Sequence, residues 1–284
     1  MLPYAPIFLF PVGIAFFIGF IWPFAQGIYL SFCKFITADN ATFIGTSNYA
    51  RALSDPAFRY SFIYTAVFAT VSVVVINVLA FAVAYALTQK IRGRNIFRSV
   101  FFMPNLIGGI VLGYIWSMIF DAILRAYGTY LLAKASYGFV GLLILMSWQQ
   151  IGYMMIIYIA GLQSVPESFV EAAKIDGASR WQILRRVIIP NVMPSITICT
   201  FLTLTNSFKL FDQNLALTAG MPVVMENGVS LSKTEMLALN IYKTFYTGAG
   251  GRGVAQAKAV IFFILVAVIA LLQLSATRKK EVQQ

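Results

Sequence analysis

Five polar side chains, Asn105, Gln149, Gln150, Asn206 and Lys209, lie inside long apolar stretches of the chain, and Asp212 lies at the outer edge of one. A polar group in hydrocarbon is costly unless it meets protein, water or a ligand, so each is a candidate for lining a solute pathway. Tyr114, Trp116 and Trp148 add flat apolar faces in the same stretches, although aromatics there also pack or anchor at interfaces. Amides equally join helices to one another. Lys209 stands three residues before Asp212, the spacing of a helical ion pair, so it either pairs there or meets an anion. Catalysis is poorly served. The chain has no histidine, which removes the commonest general base and metal ligand, and its carboxylates are dispersed. Two cysteines, Cys33 and Cys199, are too few and too separate for a redox or metal framework. No Gly-x-x-x-x-Gly-Lys-Ser/Thr loop occurs, and the glycine-rich run from Gly248 to Gly253 lacks the Lys-Ser/Thr that would follow. We therefore expect no enzyme activity, no metal and no cofactor in this chain.

A second constellation occupies 163–191. Glu171-Ala172-Ala173-Lys174-Ile175-Asp176-Gly177-Ala178, with Pro190 beyond it, is a polar loop between apolar segments. Ser164 precedes Glu167 by three residues and Ser179 precedes Gln182 by three, the spacing of two capping boxes. They predict two short helices, one over about 165–174 and one ending at Pro190. Gly177 separates them and reaches φ > 0 without a Cβ clash. On the second helix Trp181, Leu184 and Ile188 make an apolar stripe, with Arg180, Arg185 and Arg186 towards other faces. Such a pair also describes a DNA-binding helix-turn-helix, or a loop packed on its own domain. Apolar segments on both sides place it at a membrane surface instead.

The elements that must position both sets are membrane helices. Sixty per cent of the residues are hydrophobic and 11% charged, with a mean hydropathy of +0.80, beyond what a soluble domain carries. Spans are predicted at 4–31, 62–87, 99–120, 139–162, 192–211 and 255–274, in a single domain over 1–284. The first is long, has no basic segment ahead of it and runs into Pro23, which argues against a cleaved signal peptide and leads us to expect a longer or atypical natural N-terminus. Lys90, Arg92, Arg94 and Arg98, then Lys174, Arg180, Arg185 and Arg186, then Arg278, Lys279 and Lys280, mark one side of the membrane. Positive-inside bias predicts that both termini and the 163–191 loop are cytoplasmic. Asp39, Asp55, Asp121, Asp212, Glu226 and Glu235 fall in the opposite loops. The net charge of +11 is then a topology signal with anionic-lipid contact, and needs no nucleic-acid partner.

Glu-Ala-Ala, two residues, Asp-Gly-Ala and a later proline resemble the "EAA" loop of the permease subunits of bacterial binding-protein-dependent ABC importers. Arg94-Asn95-Ile96-Phe97-Arg98 with Phe102-Met103-Pro104, Phe43-Ile44-Gly45 with Asn48-Tyr49, and Phe211-Asp212 with Leu217-Thr218 resemble the carbohydrate-uptake (maltose or multiple-sugar) branch. Gly220-Met221-Pro222 departs from the usual double glycine before proline. The resemblance implies an all-α polytopic membrane protein with six transmembrane helices and a cytoplasmic coupling loop, in the bacterial cell (inner) membrane. It implies half of a sugar pathway, beside a second homologous permease, a cytoplasmic ATPase dimer that binds ATP and Mg, and an extracellular or periplasmic sugar-binding protein. Glu171 would pair with a basic group on the ATPase, Ala172 and Ala173 would permit close approach, and Asp176-Gly177-Ala178 and Pro190 would shape the loop. Gln149 and Asn206, on the fourth and fifth spans, are the first choices for sugar contact. Lys209 keeps an anionic solute such as glycerol 3-phosphate as an alternative. A secondary transporter would predict inverted repeats or intramembrane carboxylates, and neither stands out.

Overall fold

A computed structural model describes residues 5–89, 91–246 and 250–278. Residue 4 of the first expected span, and Lys90, Gly248, Lys279 and Lys280, lie outside the described residues. In chain order the helices are α1 (Ala5–Phe16), α2 (Trp22–Ser31), α3 (Ser47–Ser54), α4 (Pro56–Thr88), α5 (Arg94–Phe102), α6 (Gly109–Arg125) and α7 (Ala135–Gln163). They continue with α8 (Glu167–Ile175), α9 (Arg180–Ile183), α10 (Ile189–Asn191), α11 (Met193–Phe208), α12 (Asp212–Leu217), α13 (Leu237–Tyr246) and α14 (Arg252–Arg278). Two antiparallel hairpins pair β1 (Cys33–Lys34) with β2 (Thr42–Phe43), and β3 (Val223–Glu226) with β4 (Val229–Ser232).

Four helical segments, Leu9–Ser31, Pro56–Thr88, Ala135–Gln163 and Arg252–Thr277, are each long and apolar enough to cross a membrane. Two bent pairs raise the number among the described residues to six when each counts as one span. The expected third span, 99–120, is therefore corrected: Arg94–Leu106 and Gly109–Arg125 meet at 101°. Pro104 cannot donate a backbone hydrogen bond, the chain tightens into a 3₁₀ turn over Met103–Leu106, and Ile107 and Gly108 are extended. The expected fifth span, 192–211, is shorter than predicted. Its helix is α11, bent by 72° from the helix over Arg180–Asn191, and it ends at Phe208.

Pro23 and Pro190 are absorbed without a break. A π turn over Phe17–Ile21 precedes Pro23, and another over Leu184–Ile188 precedes Pro190. In each, the residue just before the proline donates its N–H five residues back, Trp22 to Phe17 and Ile189 to Leu184. The wider turn shifts the ladder by one residue where the proline can supply no donor.

The chain forms two compact units, the one reaching to Arg59 together with Asn240–Leu265, and the other Tyr60–Leu239 together with the chain from Val266. In the second, α4 buries Phe68, Ile76, Ala80, Ala84 and Leu87 at helical spacing, against Leu142, Leu145, Met146, Met154 and Met155 of α7. A polar knot ties three helices inside this core. Tyr158 donates to Asn77 Oδ1 at 2.7 Å, and Asn77 Nδ2 donates to Thr203 Oγ1 at 3.2 Å. Glycine lets helices approach at three places: Gly152 of α7 faces the Phe101 carbonyl, Gly161 of α7 faces Ser195 of α11, and Gly109 and Gly113 of α6 receive Asp212 and Ala216 of α12.

In the first unit Asn48 Nδ2 donates to the Ser31 and Cys33 carbonyls at 2.9 Å each. Lys258 of α14 is 1% exposed, and its ammonium donates to Asp55 Oδ2 (2.6 Å), Asn240 Oδ1 (2.9 Å) and Thr244 Oγ1 (2.8 Å). Both cysteines are free and buried.

Candidate functional site

The 163–191 loop is two helices held at a fixed turn. The helix α8 begins at Glu167 after Pro166, so the first expected capping box does not form. Ser164 instead closes α7, its hydroxyl donating to the Gly161 carbonyl at 2.8 Å. At the far end Gly177 takes φ +77°, its N–H donates to the Lys174 carbonyl (3.1 Å), and Ala178 N–H donates to the Ala173 carbonyl (2.9 Å). That paired closure is the Schellman ending, which needs a left-handed residue at the glycine position. The second box forms as expected. Ser179 Oγ accepts from Gln182 N at 3.3 Å and Gln182 Oε1 accepts from Ser179 N at 2.7 Å.

Pro190 does not end the second helix, which runs through the π turn to Asn191. The expected stripe is also displaced: Ile183 is the buried residue and Leu184 and Ile188 are half-buried, whereas Trp181 is 66% exposed beside Arg185 and Arg186.

What the loop offers a partner is open. Glu171, Ala172 and Asp176 are exposed, Ala173 and Ala178 half-buried, and neither carboxylate has a partner among the described residues. Ile175, between Lys174 and Asp176, is 86% exposed, which sequence reasoning missed. Ala173, Asp176, Gly177, Ala178 and Ile183 border a notch of about 320 Å³. Small side chains beside a notch, an exposed isoleucine and free carboxylates suit a docking surface.

The intramembrane candidates separate into two groups. Gln149 is only 6% exposed, and its amide is engaged at both ends: Nε2 donates to the Ile107 carbonyl at 3.1 Å and Oε1 accepts from Gln213 Nε2 at 2.7 Å. Ile107 lies just past the break at Pro104, so Gln149 satisfies a carbonyl that the bend releases. In this structure the amide braces the bend.

Gln150, one residue on, turns to α11, where Asn206 Nδ2 donates to its Oε1 at 3.3 Å, and both side chains are half-buried. Trp148 is exposed and edge-on to Trp116, with ring centroids 5.5 Å apart. Tyr114 is exposed on α6 and Asn105 half-buried in the 3₁₀ turn. Lys209 and Asp212 are exposed and form no ion pair among the described residues. With α11 ending at Phe208, they never occupy successive turns of one helix.

Three polar residues of structural weight escaped the sequence reading: Asn77, Gln213 and Lys258. Asn77 and Lys258 were signalled by the same rule that picked out Gln149, a polar residue among apolar ones, whereas Gln213, between Asp212 and Asn214 beyond the expected span, carried no such signal. No grouping of three or more His, Cys, Asp or Glu able to hold a metal occurs among the described residues.

Comparison with known proteins gives a consistent picture. The family model described as "Binding-protein-dependent transport system inner membrane component" matches residues 90–280. A starch degradation products transport system permease protein from Thermoanaerobacterium thermosulfurigenes is 43% identical over 98% of this chain and 94% of its own. A multiple sugar-binding transport system permease protein from Streptococcus mutans is 31% identical over 93% of this chain and 91% of its own. Among solved structures, a bacterial ABC transporter that imports the acidic polysaccharide alginate superposes with a TM-score of 0.79 at 19% identity, covering 96% of this chain and 94% of the other.

Proposed function

The chain belongs to the family of binding-protein-dependent transport system inner membrane components, and on that premise we propose that it is one half of the permease of an ATP-driven oligosaccharide importer. The observation that carries the reading is the 163–191 loop, a capped helix pair with an open notch, exposed Ile175 and two carboxylates unpartnered among the described residues. A surface so built and so exposed needs a partner, and the chain has no nucleotide-binding loop of its own. The partner is a cytoplasmic ATPase dimer. Sugar as cargo is supported by the relatives named for starch degradation products and multiple sugars.

In this reading both termini and the loop are cytoplasmic, and a second homologous permease completes the pathway. A sugar-binding protein outside delivers the cargo, as one solved relative was captured with a periplasmic protein carrying an alginate pentasaccharide. Closure of the ATPase draws the coupling loops together and opens the spans outwards, and hydrolysis resets them. The direction of transport comes from the partner's different affinity for the two states, since a ligand shifts an equilibrium only by that difference. The Gln150–Asn206 amide pair and the exposed Trp148 face offer hydrogen bonds and a stacking surface to a sugar ring. Asn105, Tyr114, Lys209 and Asp212 stand as outer candidates. Glu171 meets a basic group of the ATPase.

Uptake of labelled solutes in a strain deleted for this chain tests the cargo. Restoration for neutral oligosaccharides is expected. Restoration for glycerol 3-phosphate alone would replace the sugar reading by the anionic one.

A further inference from the structure

The second helix of the loop carries a second recess beside the docking notch, with Gln182 and Arg186 shared between the two. Trp181, Gln182, Arg185 and Arg186 surround a space of about 350 Å³. Arg185 and Arg186 are exposed, and neither guanidinium has a hydrogen-bond or ion-pair partner among the described residues. In a regular α-helix Trp181 and Arg185 share a face and Arg186 points away. The π turn over Leu184–Ile188, placed just ahead of Pro190, widens the helix where the two arginines sit, and Arg185 and Arg186 both line the recess with Trp181.

The place of this helix narrows the ligand. It runs directly into α11, two residues after Asn191, at 72° to it. A helix crossing the bilayer along α11 therefore leaves the Arg180–Asn191 helix lying along the surface that α11 enters. Indole rings favour that depth. Guanidinium groups bind phosphate through forked hydrogen bonds.

We propose that Trp181, Arg185 and Arg186 form a binding site for the phosphodiester headgroup of an anionic phospholipid, which ties the coupling loop to the membrane surface. The proposal rests on the reading of this chain as a membrane permease with the loop at the cytoplasmic face. The lipid holds the second helix at Trp181 and Arg185 while α8 and Ile183 carry the docking notch, so movement of the ATPase is passed to α11 rather than lost in tilting of the loop.

The intact importer, with its ATPase, would be placed in phosphatidylcholine discs doped with phosphatidylglycerol, and bound lipid counted by native mass spectrometry. Arg185→Gln and Arg186→Gln are each expected to lower retained phosphatidylglycerol roughly fivefold, and Trp181→Ala to lower it as well. Arg180→Gln removes an equal charge from the same helix outside the pocket, and should leave retention unchanged. An equal loss in Arg180→Gln would reduce the effect to a diffuse field and overturn the site. Unchanged retention in Arg185→Gln and Arg186→Gln with loss of the ATPase from the complex would assign these residues to the ATPase. Displacement of the lipid by millimolar inorganic phosphate would make the site one for the free ion. The readout is bound lipid, so its failure leaves the importer reading intact, and a purified complex lacking any ATPase would strike that reading alone.

Discussion

Residues with the same amide chemistry do different work here, and partners decide which. Gln149 and Gln150 are neighbours, yet one braces the break in the third span and the other meets Asn206 across to α11. Gln149→Ala leaves the Ile107 carbonyl and Gln213 short of a partner, at a cost of about 1–3 kcal/mol. Less folded permease is expected in the membrane, read by fluorescence-detected size exclusion. Asn206→Ala should keep that peak and lower sugar uptake, and a collapsed peak would make Asn206 structural too. Lys258 gives a further single-residue expectation. Its ammonium is buried but the Asp55 side chain is 31% exposed, so removing Lys258 leaves a partly solvated carboxylate short of its partner, at a cost of about 1–3 kcal/mol. Lys258→Met should lower the thermal midpoint in detergent sharply, and adding Asp55→Asn should recover part of the loss. An unchanged midpoint for Lys258→Met would show that the Asp55 contact contributes nothing.

At the scale of elements, six apolar stretches were legible from composition alone, because hydrocarbon demands about twenty apolar residues per crossing. Their internal breaks were not. Apolar content is uniform through Phe101-Phe102-Met103-Pro104, so it carries no mark of the 101° bend; only Pro104 does, and Pro23 shows that a proline can equally be absorbed in a π turn. What separates the two cases is packing, since Gly152 admits the Phe101 backbone and Gln149 satisfies the freed carbonyl. The hairpin β3–β4 was legible in principle, with Asn227 at φ +52° and Gly228 at φ +76° between two β-rich runs. In the loop, the Ser179 box and the Gly177 turn were read correctly because both are local chemistry, whereas the start of α8 was missed because Ser164 was spent on closing α7. Gly177→Val would force a β-branched residue to φ +77°, and should impair coupled uptake while leaving membrane abundance near normal. Abundance falling in step with uptake would place the fault in folding instead.

For the whole molecule, orientation is the first requirement. Both native cysteines are buried, so an engineered one reports with little background. Ile175→Cys should be shielded from an impermeant thiol reagent outside intact cells and Ser230→Cys should react, and the opposite pattern would invert the topology. Coupling is the central claim, and one measurement tests it most directly: sugar uptake into proteoliposomes holding the permease pair, the ATPase and the binding protein, with wild type or Glu171→Lys at equal assembled amounts. Glu171 is exposed and unpartnered among the described residues, so the exchange should spare the fold and set like charges against the ATPase, where such juxtaposition costs several kcal/mol. Uptake that requires ATP and falls more than about tenfold in Glu171→Lys is expected. Uptake that proceeds without ATP, or runs undiminished in Glu171→Lys, would contradict that claim.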